Sequence, residues 1–458
     1  MNPEFRRNLW LELTPTRLGV VLFALAAILL LAYVAAGNAQ TMSSVARTCF
    51  FVLVMLWGGK LAAEAVVTEI NERTWDSQRM SALGPWSMSW GKLFGAPVAA
   101  WVAGLVALAV LLASSDRNGI LLAVQLVLVG VLCHATAMAM SLQSIRKGRQ
   151  PGRVKTFLFQ LIGLAVAGLS YLPSYSAWLF GTAFGGSATI GWFGFAVPAF
   201  EFGLASLAVF TLWAVLAVYR LMRLELQKPS TPIVWAAFLL FVVLYETGLA
   251  LGGNASFTDF SGKLRQTIES AGPSVAAAAA YFLLSVLCYI AVFTEPKSPV
   301  AMGQFFAAWR DRRWGQAWAL TPRWLITLIF TALALIASLI VLRRHDLALE
   351  SATITDGVLI SAFFFTLRNI GIVLWFNFRP DAQRSDMLAF VTIFVLSGIL
   401  PFIVAGMRAL DAIPLFAPWG SQSAGLLVAL PAVLETAVVY FLVWHAWRTG
   451  QRLRLKVA

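Results

Sequence analysis

The chain has 458 residues, 60% of them apolar and only 12% charged, with a mean hydropathy of +0.79 and a net charge of +13. Ordinary soluble domains carry about 25% charged residues, so this composition excludes a soluble globular protein. Apolar runs continuous over about twenty residues, rather than alternating, exclude a strand-built barrel and predict an all-α polytopic membrane protein.

The segment Arg6-Arg7-Asn8-Leu9-Trp10-Leu11-Glu12-Leu13-Thr14-Pro15 is basic and aromatic and suits a helix lying along the inner membrane face. Span 1 is predicted over Leu18 to Ala36 and span 2 over Ala46 to Val66, with the uncharged Gly37 to Ser44 crossing outside. Glu64 to Gly95 is then the longest polar interruption in the N-terminal half. Glu64, Glu69, Glu72 and Asp76 alternate there with Arg73 and Arg79, without Pro or Gly, which predicts one helix end leaving the membrane. Lys60 and Glu64, one turn apart at the inner end of span 2, are expected to pair. Gly84-Pro85 turns the chain and Gly91-Lys92 opens the next apolar run. Span 3, Leu93 to Ala113, ends at the turn Asp116-Arg117-Asn118-Gly119. Span 4, Ile120 to Leu142, meets Arg146, Lys147, Arg149, Arg153 and Lys155, which pin that loop inside.

Span 5, Phe157 to Tyr171, precedes an apolar stretch from Leu172 to Phe200 broken by Pro173, Gly181, Gly185, Gly186, Gly191, Gly194 and Pro198, which predicts a re-entrant or interfacial hairpin on the outer side. Span 6, Glu201 to Leu221, closes the first half. Gln227-Lys228-Pro229-Ser230-Thr231-Pro232 reads as a linker. Six further spans follow: Ile233 to Leu251, Ser274 to Phe293, Trp324 to Leu342, Val358 to Trp375, Met387 to Gly406 and Leu426 to Trp447. About twelve transmembrane helices are thus expected, in two six-helix halves (residues 1–226 and 233–458) joined by the linker 227–232. The Pro-rich Met407 to Ala424 stands where the outer hairpin stands in the first half. Phe305 to Trp314, a basic and aromatic helix candidate, stands where the first inner loop stands. A competing alignment pairs Leu13-Thr14-Pro15 with Leu320-Thr321-Pro322 and Asp76-Ser77-Gln78-Arg79 with Asp381-Ala382-Gln383-Arg384, which leaves an incomplete second copy.

With this topology most Lys and Arg fall on one side, the positive-inside pattern. It places both termini in the cytoplasm and accounts for the basic balance without nucleic acid. No GxxxxGK[ST] loop is present, so the chain is not expected to hydrolyse ATP itself. His134, His345 and His445 are scattered, and Cys49, Cys133 and Cys288 lie in apolar runs, so no metal site is expected. His134 is expected to bond a backbone carbonyl in the core. Glu246, Arg368 and Glu435 are the deepest intramembrane charges. An interhelical ion pair of Arg368 with Glu246 or Glu435 competes there with a substrate or proton role.

In the first inner loop, Glu72-Arg73, Thr74, then Ala82-Leu83-Gly84-Pro85-Trp86-Ser87, then Gly91-Lys92 resemble the corresponding loop of ABC-2 type permeases, the membrane subunits of ATP-driven exporters. That family has Glu-Arg-Gly-Thr, a Leu-(Ala/Thr)-x-Pro-(Leu/Ile)-Ser segment and a Gly-Lys at these places. This chain lacks the glycine before Thr74 and has Trp86 for the aliphatic residue. The resemblance covers about thirty residues closely and the first half in layout, including an amphipathic helix before span 1 and a helical re-entrant hairpin before span 6. It implies a permease without enzymatic activity in the inner (plasma) membrane, working with cytoplasmic ABC ATPase subunits that hold the ATP and Mg, and with other exporter components. It also implies that Glu69, Glu72, Arg73, Thr74, Pro85 and Lys92 form an ATPase-coupling segment, with Trp309, Arg310 and Arg313 as its second-half counterpart. Two alternatives stand beside it. One is an ion-gradient-driven secondary transporter using Glu246, Arg368 and Glu435. The other is a membrane enzyme acting on lipid-linked glycans, for which the outer loops (Asp116, Asp259, Glu269, Asp346, Asp356) offer no clustered acidic pair.

Overall fold

The structure is a computed structural model and describes residues 2–81, 83–115, 119–146, 153–184, 189–228, 231–251, 262–344, 355–379, 385–418 and 426–457. It is 86% helical. Among the described residues nine helices are long and apolar enough to cross a membrane, or ten if one bent pair counts as a single span. The protein is an all-α polytopic membrane protein. Its chain divides into two compact units, Met1–Ala188 with Val197–Ser230, and Thr189–Ala196 with Thr231–Ala458.

The first unit opens with α1 (Pro3–Glu12) and α2 (Pro15–Ala36), each with Pro in its first turn, where the missing N–H costs nothing. α3 (Ala39–Phe50) continues through a π-helical stretch, Phe51–Gly58, into α4 (Gly59–Glu64). Two short helices, α5 (Val67–Asn71) and α6 (Trp75–Arg79), lead to α7 (Pro85–Gly95) and α8 (Val98–Ser114), which meet at a 56° bend. α9 (Gly119–Arg146), α10 (Arg153–Phe184) and α11 (Ala199–Glu225) complete the unit. α9 is its axis, packed on α4, α10 and α11, while α8 packs on α3 and α1 lies along α7. Phe50, Val54, Leu111, Leu126, Val129, Leu132 and Leu207 form its main core.

Wider π turns displace carbonyls from the helical ladder, and side chains of neighbouring helices take them. His134 Nε2 donates to Val54 O (2.7 Å), Cys133 Sγ to Met55 O (3.8 Å) and Gln160 Nε2 to Leu56 O (2.9 Å). Gly58 permits this approach, since a Cβ there would lie 2.7 Å from His134 Nε2.

A two-stranded hairpin, β1 (Thr189–Trp192) and β2 (Phe195–Pro198), precedes α11. In the second unit α12 (Ile233–Leu251), α13 (Gly262–Thr294), α14 (Pro299–Arg310), α15 (Trp314–Leu320), α16 (Arg323–Arg344) and α17 (Asp356–Phe378) follow in order. α18 (Ser385–Phe394) passes through a second π stretch, Val395–Ile399, into α19 (Leu400–Gly406), and α20 (Leu430–Val457) ends the chain. Here α13 packs on α16 and α12, and α17 on α20, α18 and α16.

Four local expectations are corrected. The polar segment after span 2 is not one helix: it breaks at Arg73, whose φ of +59° ends α5. Span 3 does not start as one rod at Leu93, because α7 runs to Gly95 and the chain bends before Val98. α10 does not stop at Tyr171 but continues through Pro173 to Phe184, and the structured hairpin beyond it is β, not helical. One internal proline removes a single ladder bond, which an apolar helix tolerates where neighbouring groups cover the freed carbonyl. Lys60 and Glu64 do not pair: Lys60 is exposed and Glu64 half-buried. Asp116, Lys147, Arg149, Asp259, His345, Asp346, residues 380–384 and part of the Pro-rich stretch after α19 lie outside the described residues.

Candidate functional site

The polar segment from Glu64 to Gly95 is built on α1. Asn2 caps that helix, its Oδ1 accepting from the Glu4 and Phe5 amides, while its Nδ2 donates to Ser87 O of α7 (2.7 Å). Gly91 and Gly95, one turn apart on α7, let α1 lie against them. A Cβ at Gly91 would fall 2.6 Å from Glu4 Cβ, and one at Gly95 would fall 2.8 Å from Asn8 Cβ. Asn8 Nδ2 reaches Gly91 O at 3.3 Å.

Close packing seals a charge cluster. Lys92 is 1% exposed, and its ammonium donates to Glu4 (2.9 Å), to Gln78 Oε1 (2.9 Å) and to Glu69. Three acceptors satisfy its three donors. Arg7 bridges the same two carboxylates, Glu4 at 2.8 Å and Glu69. Two acids and two bases leave the cluster neutral, the condition for burying it. The Trp75 ring lies 5.3 Å from the ammonium, and its Nε1 donates to Glu225 of α11. Burial acts to raise the pKa of the Glu4 carboxyl, but Lys92 and Arg7 outweigh it and hold that carboxyl below the usual carboxylate range. Burial also opposes the charge of Arg7, and the two carboxylates more than compensate, raising its pKa.

Of the residues expected to form the coupling segment, Glu69 and Lys92 are therefore buried together, while Glu72, Arg73 and Thr74 are exposed on the far side of the same turn. Thr74 closes α5, its amide (2.9 Å) and hydroxyl (3.2 Å) both donating to Glu69 O. Pro85 starts α7. Arg73 takes a left-handed conformation just past the end of α5, with a φ of +59°. Trp309, Arg310 and Arg313 are exposed on α14 and the turn before α15. Sequence reasoning missed Glu4, Arg7, Gln78 and Trp75 as members of this cluster. The signal that could have found them is the pair Gly91 and Gly95, a small-residue stripe that invites a helix to pack closely.

Deep in the second unit Arg368, 1% exposed, donates to Glu435, to Ser397 Oγ (2.7 Å) and to Asn369 Oδ1 (3.0 Å). Asn369 Nδ2 in turn donates to the Tyr289 hydroxyl (2.8 Å). Ser397 belongs to the π stretch of α18–α19. Glu246, half-buried on α12, has no polar partner among the described residues. Groups of His, Cys, Asp or Glu suited to a metal ion are absent among the described residues. No protein-family model, curated protein or solved structure compared with the chain matches it.

Proposed function

We propose that the chain is the membrane permease of an ABC-2 type exporter, coupling ATP hydrolysis by separate cytoplasmic ATPase subunits to outward transport. The observation that carries this reading is the buried cluster of Glu4, Glu69 and Lys92, bridged by the half-exposed Arg7, with Glu72, Arg73 and Thr74 exposed beside it. A loop that only linked two spans would not need two desolvated ion pairs. A handle that transmits force does, because a push on Glu72 to Thr74 must reach α1, α7 and the membrane helices without being absorbed.

In this reading the membrane domain has twelve spans in two six-helix halves with outer hairpins, both termini in the cytoplasm, and the inner membrane as its location. Counting α10 and α12, whose apolar stretches Lys155–Ser170 and Ile233–Leu249 are shorter, completes that number. The packing order recurs between the halves: α2 on α3 as α12 on α13, α3 on α8 as α13 on α16, and α9 on α11 as α17 on α20. ATP-driven closure of the partner moves the handle, and tilting of the halves opens the path. A second reading, gradient-driven transport, is favoured by one observation, the pairing of the buried Arg368 with the half-exposed Glu435.

Affinity purification in mild detergent separates the two. A Walker-A-containing partner that co-purifies with the wild type and is lost with Glu72→Ala plus Arg73→Ala supports the permease. A solitary chain that takes up substrate along an ion gradient supports the alternative.

A further inference from the structure

The helical hairpin α14–α15 carries a surface unlike that of the turn at residues 72–77. Short links join it to the end of α13 at Thr294 and the start of α16 at Arg323, which hold it at the membrane boundary. One side is anchored by the buried Phe305, Ala308 and Ala317. The other exposes Phe306, Trp309, Trp314 and Trp318 together with Arg310, Arg312 and Arg313. Trp309 and Trp314 meet edge to face at 5.2 Å across the turn, where Arg312 has a φ of +57°.

Asp311 is the only carboxylate in residues 299–320, and it is shared by Arg310 (3.4 Å) and Arg313 (2.9 Å). Three guanidinium groups against one carboxylate leave this surface with a net charge of +2. Arg312 makes no ion pair among the described residues. By contrast, residues 72–77 bury their one aromatic, Trp75, and expose Glu72, Arg73, Thr74, Asp76 and Ser77.

Water is a poor surrounding for four large rings, and hydrocarbon is a poor one for three guanidinium groups. The headgroup layer accommodates both, with tryptophan at the interface and arginine on phosphate. We propose that α14–α15 is an interfacial hairpin that binds the anionic phospholipid headgroups of the bilayer surface, so that Trp309, Arg310 and Arg313 contact lipid rather than an ATPase. The exporter reading enters only in assigning the leaflet.

Native mass spectrometry of the full chain, released from detergent containing equal phosphatidylglycerol and phosphatidylcholine, tests this. The wild type should retain phosphatidylglycerol preferentially. Arg310→Gln with Arg312→Gln and Arg313→Gln should reduce that preference about tenfold or more, since each arginine supplies its own attraction to the anionic headgroups. The triple Arg→Lys variant should keep most of the preference. Circular dichroism of all three proteins shows whether folding is intact, and these exposed positions should leave it unchanged. Equal retention of the two lipids by the wild type, or an unchanged preference in the folded triple Gln variant, overturns the proposal. So does a triple Gln variant that loses an ATPase partner while keeping its lipid.

Discussion

Lys92 and Glu4 are 88 positions apart in sequence and 2.9 Å apart in space, with neither side chain more than 3% exposed. Their ion pair closes α1 onto α7 and fixes it against the polar segment that follows α4. Burying a cation is tolerable only while its carboxylates remain, so the pair is a sensitive point of the fold.

Lys92→Met should cost about 3 to 5 kcal/mol, because Glu4 and Glu69 are then buried with Arg7 alone. Lys92→Met combined with Glu4→Gln should recover part of that loss, because Arg7 and Glu69 then remain as a neutral pair. Thermal unfolding in one detergent, followed by circular dichroism, checks both.

Glu4 gives the cluster a pH dependence of definite sign. Its folded pKa lies below the ordinary 4.5, so the folded state binds fewer protons than the unfolded one between the two values. Its contribution is complete above the unfolded value and disappears as pH falls through the folded one. Glu4→Gln should therefore flatten the acid limb of a stability profile below about pH 4.5 and leave the slope between pH 6 and 8 unchanged. A Glu4→Gln profile with the wild-type acid slope would contradict this.

The space between Gly58 and His134 should appear as coupling. Gly58→Ala pushes a methyl to 2.7 Å from His134 Nε2 and should cost about 1 to 3 kcal/mol. In the His134→Ala background, which frees the Val54 carbonyl, the added cost of Gly58→Ala should be much smaller. A double-mutant cycle on unfolding midpoints reads the difference.

Arg73 separates stability from coupling. Its left-handed backbone strains a side-chain-bearing residue, so Arg73→Gly should stabilise the chain by about 1 kcal/mol. On the permease reading the same substitution weakens the ATPase partner's grip. A denaturation midpoint that rises while co-purification falls is the expected outcome.

The membrane class and most span positions were legible because about twenty continuous apolar residues leave the chain few other structures. His134 was legible too: a lone histidine in an apolar run has backbone carbonyls as its nearest acceptors, and it bonds Val54 O. The π stretch that presents that carbonyl was not, since Phe51 to Gly58 has the composition of any apolar helix and only donors on α9 and α10 select the wider turn. Glu69 and Lys92 stand out in the sequence as site candidates, whereas Arg7 reads as part of a basic and aromatic segment lying along the membrane face and Glu4 lies just before that segment. Their role depends on α1 approaching Gly91 and Gly95, a meeting of distant segments that local periodicity does not encode. The break at Arg73 was hidden as well, because a left-handed residue is normally announced by glycine or asparagine.

The central claim, that an ATPase grips the turn beside the buried cluster, is tested most directly by a photo-crosslinking amino acid placed at Glu72 in intact cells. Irradiation should give one dominant adduct, with a protein that contains a Walker A sequence and faces the cytoplasm. Adducts only with lipid or with periplasmic proteins, or none in cells whose transport is intact, would contradict the account.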